Sequence, residues 1–210
     1  YSDIVKANPN LDPERSDSFE IGLKKEWNTK TTLNDSGFYV KTKDKVKYLT
    51  YYDNSGNVDY KMYNNVDEES RRGVELEVRH QLSSKWSVFG NYTWQTGRIK
   101  HKELPNTNAS EYAEVNYDIP KHTFHAGVEY TSGKWNALWD AQYVSRRQSV
   151  DDVTGQYGSE DSYFISNVAV NYKLSKEATL QFGVQNVFNR VFFNDEATAG
   201  RTYSASMKFK

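Results

Sequence analysis

The chain has no cysteine. A disulfide framework, a thiolate metal site and a cysteine nucleophile are therefore excluded. It also lacks any stretch approaching the roughly 18–20 consecutive apolar residues of a membrane helix. The opening YSDIVKANPN has no basic region followed by an apolar run, the pattern of a signal peptide. Charge of neither sign dominates: the net charge is −1 and the sequence pI about 6.5, far from the basic footprint of a nucleic-acid binder. HExxH, GxSxG and phosphate-loop motifs are missing. Histidine is limited to His80, His101, His122 and His125. His122 and His125 are three apart, so on a strand they point to opposite faces and cannot share a metal. With no catalytic constellation, the chain does not read as an enzyme.

What is present is aromatic and polar together. Among 210 residues there are 16 Tyr, 10 Phe and 5 Trp, yet the mean hydropathy is −0.87. That combination suits a soluble β protein. It equally suits a membrane β-barrel, whose polar lumen and loops dilute its apolar lipid face.

Apolar residues recur with a period of two, the mark of strands with one apolar face. Stripes run through Phe19–Ile21–Leu23, Val74–Leu76–Val78, Trp86–Val88–Gly90–Tyr92–Trp94 and Phe124–Ala126–Val128–Tyr130. They continue through Trp135–Ala137–Trp139–Ala141–Tyr143, then Phe164, Val168, Val170, Tyr172 and Leu174, then Leu180–Phe182–Val184. The last is Tyr203–Ala205–Met207–Phe209. Segment 31–52 alternates poorly and reads as a strand from its Tyr, Val, Thr and Phe content. The total is nine strands.

Their connections alternate in kind. NTK (28–30), LSSK (82–85), TSGK (131–134) and SKE (175–177) are tight turns, whereas 97–119, 145–161 and 189–200 are long and polar. Short links at one end and long links at the other are the pattern of an outer-membrane barrel, not of a Greek-key sandwich. Aromatic residues cluster toward strand ends with smaller residues between, as in the girdles that flank an apolar band. Ordinary cross-strand pairing in a soluble sheet gives the same clustering. Glu75, Glu77, Arg79, His125, Glu129, Asn136, Asp140, Gln142, Asn167, Asn171, Gln181 and Gln185 oppose the apolar stripes. They form either a wet lumen or a solvent face. Single-chain bacterial barrels have an even strand count with both termini on the periplasmic side, and nine strands do not satisfy that.

At this level the motifs resemble the TonB-dependent outer-membrane receptors. NPNLDPERSDSFEIGLK (8–24) is similar to the segment entering a late barrel strand of that family. RRGVELEVRHQLSSKWSVFGNYTWQTG (71–97) resembles its paired strands, and IPKHTFHAGVEY (119–130) its Pro-x-His strand opener. LQFGVQNVFNRVFF (180–193) matches its Asn-x-Phe-Asn signature, and AGRTYSASMKFK (199–210) looks like its last strand. The resemblance covers essentially the whole chain in the family's order. It implies an all-β fold: an antiparallel transmembrane β-barrel, of which this chain is the C-terminal part, about nine strands of a 22-stranded barrel. Residues 1–210 are then a C-terminal barrel portion, with the N-terminal plug and first strands lying outside it. Family members end on an aromatic, whereas Lys210 stands last here. Asp35 falls on the face assigned to lipid, either through a register slip or near the periplasmic rim.

The resemblance further implies TonB-dependent import of a ferric siderophore across the Gram-negative outer membrane. Cobalamin or haem is the alternative cargo. A passive porin-type or autotransporter barrel and a soluble β-sandwich binding module are the rival readings. Ligand contacts are expected in the outside loops at Tyr112, Tyr117, Arg146 and Arg147, and plug-facing lumen positions at Glu75, Glu77, Arg79 and Asp140. Arg146 and Arg147 can pair with anionic ligands; a lipopolysaccharide contact or a loop salt bridge is the competing use. DDVTGQYGSED (151–161) carries oxygen ligands suited to Ca²⁺ but lacks EF-hand spacing, so a solvated loop is the simpler expectation. No resident metal or cofactor is expected. The expected partners are outer-membrane lipid and lipopolysaccharide, the protein's own plug and N-terminal strands, and the TonB complex, with no nucleic acid.

Overall fold

The computed structural model describes residues 4–108, 112–115, 119–150, 157–191, 193–194, 196–197 and 199–209. Every element among them is a strand: β1 (Arg15–Trp27), β2 (Thr31–Tyr52), β3 (Val58–Gln81), β4 (Trp86–His101), β5 (Tyr112–Val115), β6 (His122–Ser132), β7 (Trp135–Val144), β8 (Arg147–Val150), β9 (Tyr157–Glu160), β10 (Tyr163–Lys173), β11 (Ala178–Gln185), β12 (Phe193–Asn194), β13 (Glu196–Ala197) and β14 (Thr202–Phe209). Nine of them hydrogen-bond side by side in chain order, β1-β2-β3-β4-β6-β7-β10-β11-β14. They are the nine strands that the alternation predicts. β5 pairs with the end of β4, and β8–β9 and β12–β13 are small separate ribbons. These ribbons fall within the long polar links of the sequence, where runs of two to four residues are too short to show a period.

The tight turns are built as their residues demand. Asn28 and Thr29 both have φ of 53°, the left-handed pair of a primed hairpin turn. Thr29 is unfavourable there, and its hydroxyl donates to the Asn28 carbonyl at 2.7 Å. Gly133 takes φ 58° in the β6–β7 turn.

The chain divides into two compact units. One comprises Tyr1–Glu20, Phe38–Gly73 and Thr96–Asn116; the other comprises Ile21–Gly37, Val74–Gln95 and Tyr117–Lys210. The second is a wall whose apolar side is exposed. Two aromatic rows cross it. Tyr92, Phe124, Tyr143 and Phe164 follow one another on neighbouring strands and Phe188 closes the row from the turn after β11, with Tyr92–Phe124 ring centroids 4.4 Å apart, Phe124–Tyr143 6.3 Å and Phe164–Phe188 6.0 Å. Near the tight turns, Trp86 meets Tyr130 at 4.6 Å and Trp135 meets Tyr172 at 4.5 Å. The rows are eight residues apart on β7 and β10. At about 3.3 Å per residue on strands tilted about 40°, that is about 20 Å, close to the ~25 Å band of a membrane barrel. Tyr130 belongs to the turn-end row, opposite Trp86.

Between the rows lie Ala126, Val128, Ala137, Ala141, Val168 and Val170, with one polar residue, Ser166. It is fully buried, and the Trp139 indole N–H donates to its hydroxyl at 2.8 Å, so this hydroxyl is not left unpaired against lipid.

Asp35 does stand on the lipid-facing side. The Cβ position of Gly22 lies 3.7 Å from the Ser36 Cβ, and the Asn34 amide donates to Glu77 at 3.1 Å. Ser36 and Asn34 are therefore on the polar face, and alternation turns Asp35 away. No register slip occurs. Asp35 is the fifth residue of β2, on the turn side of the wall.

β2 and β3 are 22 and 24 residues long. A membrane crossing takes about 9–11 residues, so each is about twice the length of a span. The first unit contains the far halves of these strands, and it has a different chemistry. Leu49 and Val66 are almost completely buried, as is His101. Tyr51 stacks on Tyr60 at 4.6 Å and Tyr48 tilts onto Tyr63 at 4.8 Å.

Candidate functional site

Two regions can carry function in such a protein: the polar face of the wall and the segments at the long-link end. On the polar face, side chains bond along rows that cross the strands. Glu129 accepts from the Ser87 hydroxyl at 3.0 Å and pairs with Arg79 at 3.6 Å. Arg79 also lies over the Phe89 ring at 5.3 Å. Asp140 accepts from the Asn167 amide at 3.0 Å and faces His125 at 3.4 Å. Asn167 in turn accepts the Asn186 backbone N–H at 3.1 Å. Nearer the tight turns an amide ladder runs over five strands. Ser206 donates to Gln181 at 3.4 Å, Gln181 to Asn171 at 3.2 Å, Asn171 to Asn136 at 3.1 Å and Asn136 to Thr131 at 3.0 Å.

The expected lumen positions therefore take different roles. Glu77 holds Asn34, Arg79 holds Glu129, and Asp140 anchors the His125–Asn167 cluster. Glu75 makes no hydrogen bond or ion pair among the described residues. His122 lies on the opposite face from His125 and bonds the Tyr92 hydroxyl at 2.8 Å, as their spacing requires. Among the described residues no three His, Asp or Glu side chains converge on a metal position.

One inward-facing aromatic was missed. Phe89 lies on the polar face across Gly127, where a Cβ would sit 2.4 Å from the Phe89 ring and 2.9 Å from the Trp139 carbonyl oxygen. The glycine makes room for the ring, a signal readable only once the two strands are paired.

At the long-link end the side chains are held by charge and amide pairs. Lys41 meets Glu68 at 2.9 Å, Lys45 pairs with Glu69, and the buried His101 bonds Asp67 at 2.8 Å. Asn8 bonds both the Tyr63 carbonyl at 3.0 Å and Asn64 at 2.9 Å, tying the N-terminal segment to β3. Burial and the neighbouring Tyr60 raise the Tyr51 pKa above the phenol range. At the hairpin tip the backbone N–H of Asn57, helped by that of Ser55, holds the Asp53 carboxyl below the usual carboxylate range.

Of the four expected ligand contacts, Arg147 pairs with Glu160 across the β8–β9 ribbon, through Nη2 at 2.6 Å and Nε at 2.9 Å. Arg146 donates to the Ser159 hydroxyl. Both guanidinium groups are thus engaged inside their own loop. Tyr117 and residues 151–156 of the acidic segment lie outside the described residues, and Tyr112 enters only as a backbone position in β5.

The Asn-x-Phe-Asn signature acquires a physical meaning. Asn186 and Asn189 both adopt left-handed φ, 51° and 53°. The buried Asn186 side chain accepts the Arg190 N–H at 2.8 Å and donates to the carbonyls of Arg190 at 2.6 Å and Ala199 at 3.3 Å. Asn189 accepts the Arg201 N–H at 2.8 Å. Together they fold the turn that sets Phe188 at the end of the aromatic row.

A meander with two aromatic rows, an apolar outer side and a bonded polar inner side defines a strand-built membrane wall. The chain belongs to the TonB-dependent receptor β-barrel family: the family described as TonB dependent receptor-like, beta-barrel, matches residues 1–187. That places the wall in the Gram-negative outer membrane, in a family of transporters and receptors. Among curated relatives it is 22% identical to the ferric-pyoverdine 358 receptor of Pseudomonas putida, over 98% of this chain and 25% of that protein. It is 25% identical to the probable hemoglobin and hemoglobin-haptoglobin-binding protein 4 of Haemophilus influenzae, over 92% of this chain and 21% of that protein. The fold matches the FrpB iron transporter from Neisseria meningitidis (F5-1 variant) with a TM-score of 0.78 at 16% identity, over 99% of this chain and 33% of that chain. The chain thus spans about a quarter of the length of the curated relatives it matches.

Proposed function

We propose that the whole protein imports a ferric siderophore across the outer membrane, powered from the inner membrane through TonB. In this reading the chain supplies barrel wall and outer segments, its polar face docks a plug domain, and no catalytic step is assigned to it. The iron complex is cargo, and no resident cofactor is part of the proposal. The observation that carries it is the family match over a wall with this two-faced construction, beside a relative named as a ferric-pyoverdine receptor. The name of the Haemophilus influenzae relative makes haem the second reading.

Deletion of the gene, followed by uptake of iron-59 as purified siderophores, haem or free iron, tests the proposal. Loss of uptake of one ferric siderophore, with the same loss on collapse of the proton gradient, is the expected result. Uptake that survives gradient collapse overturns active import and leaves a passive porin. In the same assay, Arg146→Glu and Arg147→Glu test the anionic-ligand reading. A ligand role lowers uptake several-fold, whereas unchanged uptake leaves the Arg147–Glu160 pair as a loop fastening worth at most about 1 kcal/mol.

A further inference from the structure

Within the first unit, the outer half of the β2–β3 hairpin is gripped by two segments that have changed sides. β1 borders β2, yet the chain leading into β1 pairs with β3. Val5 lies parallel to Lys61, the Lys6 N–H donates to the Lys61 carbonyl at 3.0 Å, and the Lys61 N–H donates to the Ile4 carbonyl at 2.8 Å. β4 borders β3, yet the chain leaving β4 pairs with β2. Thr107 lies antiparallel to Tyr51, the Tyr52 N–H donates to the Asn106 carbonyl at 2.8 Å, and the Asn108 N–H donates to the Thr50 carbonyl at 3.2 Å. Each connection therefore crosses the hairpin to reach the edge it covers.

The crossing is pinned by side chains. In β2, Asp44 takes φ 57°, a left-handed backbone that non-glycine residues adopt rarely. Beside it the Asn65 amide donates to the carbonyls of Asp44 at 2.6 Å and Asp12 at 2.8 Å, and its oxygen accepts the Asp12 N–H at 2.8 Å. The Glu14 carboxylate accepts the Val46 N–H at 2.7 Å, just where β1 has ended. One line of contacts then joins strap to strap. Asn8 donates to Asn64 at 2.9 Å, Asn64 donates to the Tyr51 hydroxyl at 2.6 Å, and Tyr51 stands opposite Thr107. Lys6 lies 3.6 Å from the centre of the Tyr60 ring, which stacks on Tyr51. A two-stranded hairpin with bare edges is marginal in water, and the straps cover both edges. We propose that the segment before β1, the outer half of the hairpin and the segment after β4 form a clasp that opens and closes in one step. Contact made with either strap is thereby passed to the other. The clasp rests on pairing within the chain, so its failure leaves the import proposal standing.

Hydrogen exchange of the purified full-length receptor, read by mass spectrometry on peptides covering 4–12, 48–66, 104–108 and β7–β10, tests the clasp. Asn65→Ala cuts the pin at Asp12 and Asp44 and touches nothing in 104–108. It is expected to speed exchange about tenfold in all three outer peptides, the size of a lost hydrogen bond, while β7–β10 keeps its rate. Acceleration confined to 4–12 and 48–66 overturns the proposal, because the straps then open separately. No acceleration overturns it too, and so does acceleration that reaches β7–β10, since the clasp would not be a unit of its own. A stabilising variant keeps the test open should Asn65→Ala fail to assemble. Tyr51 and Thr107 form a pair without backbone bonds between them, the geometry in which side chains on adjacent strands lie closest. Tyr51→Cys with Thr107→Cys, oxidised, is expected to slow exchange in 4–12 several-fold relative to its reduced form. Slowing confined to 104–108 and the neighbouring β2 amides overturns the coupling.

Discussion

The two compact units solve opposite problems with the same backbone. In the unit that includes the far halves of β2 and β3, Leu49 and Val66 are hidden and charged pairs cover the strands. In the wall, Trp135, Phe182 and Met207 are exposed and the polar side chains bond to one another on the far face. One unit sorts its residues against water and the other against lipid. The difference lies in which neighbour each face meets, because both use the same antiparallel ladder and period-two alternation.

Charge substitution should separate the two most sharply. Val168 lies midway between the aromatic rows, four residues from Phe164 and from Tyr172. Val168→Arg should cost about 2–4 kcal/mol of barrel stability at the midplane. Val58→Arg, on the exposed end of β3 in the other unit, should stay within about 0.5 kcal/mol. Urea unfolding in lipid vesicles, followed by tryptophan fluorescence, measures both. Similar costs at the two positions would abolish the contrast.

Next in size is Asn186→Ala. It takes the buried Asn186 amide away from the Arg190 N–H and two carbonyls in the turn after β11, and is expected to cost the wall about 1–3 kcal/mol in the same assay. Asp67→Ala removes the carboxylate facing the buried His101, at about 1–3 kcal/mol. That loss should remain local. Hydrogen exchange should quicken around residues 66–68 and 100–102 while the β7–β10 amides keep their protection. Faster exchange in the wall would show that the two regions unfold as one.

The smallest effect lies at the hairpin tip. The Asp53 carboxyl is held low by the Asn57 and Ser55 N–H groups. A depressed carboxylate stabilises above its unfolded pKa and loses that stabilisation as pH falls through the folded value. From about pH 5 to about pH 2, the amide proton resonances of Ser55 and Asn57 should therefore move together toward random-coil values. Wall resonances should hold.

The same contrast explains what the sequence made legible. Where one face meets lipid, as in β6, β7, β10 and β11, alternation is clean and both faces can be read residue by residue. In β2 and β3 both faces are polar over long stretches: the period-two run of Lys41, Lys43, Lys45 and Lys47 has no apolar stripe opposite it, so β2 was legible over 31–52 only from its residue content, and β3 only from its Val74–Leu76–Val78 stripe. Phe89 was obscured for another reason: an aromatic on the polar face makes sense only beside Gly127 on the neighbouring strand. The Arg146–Arg147 pair was visible as charge, but its fastening to Ser159 and Glu160 depends on a ribbon too short to show a pattern. Asp35 was placed correctly by parity alone.

The amide ladder has a direction. From Ser206 to Thr131 every link donates the same way, so each Asn or Gln gives one N–H forward and accepts one bond from behind. The side-chain dipoles line up head to tail around the circumference, and each polarises the next. Such a one-way chain tolerates no member that only accepts. Asn171→Asp, nearly identical in shape, would set two carbonyl-type oxygens against each other toward Asn136 and reverse the electrostatic sense of everything downstream. Five strands are thereby fastened by an order of donors that a one-residue slip of any strand would turn out into lipid.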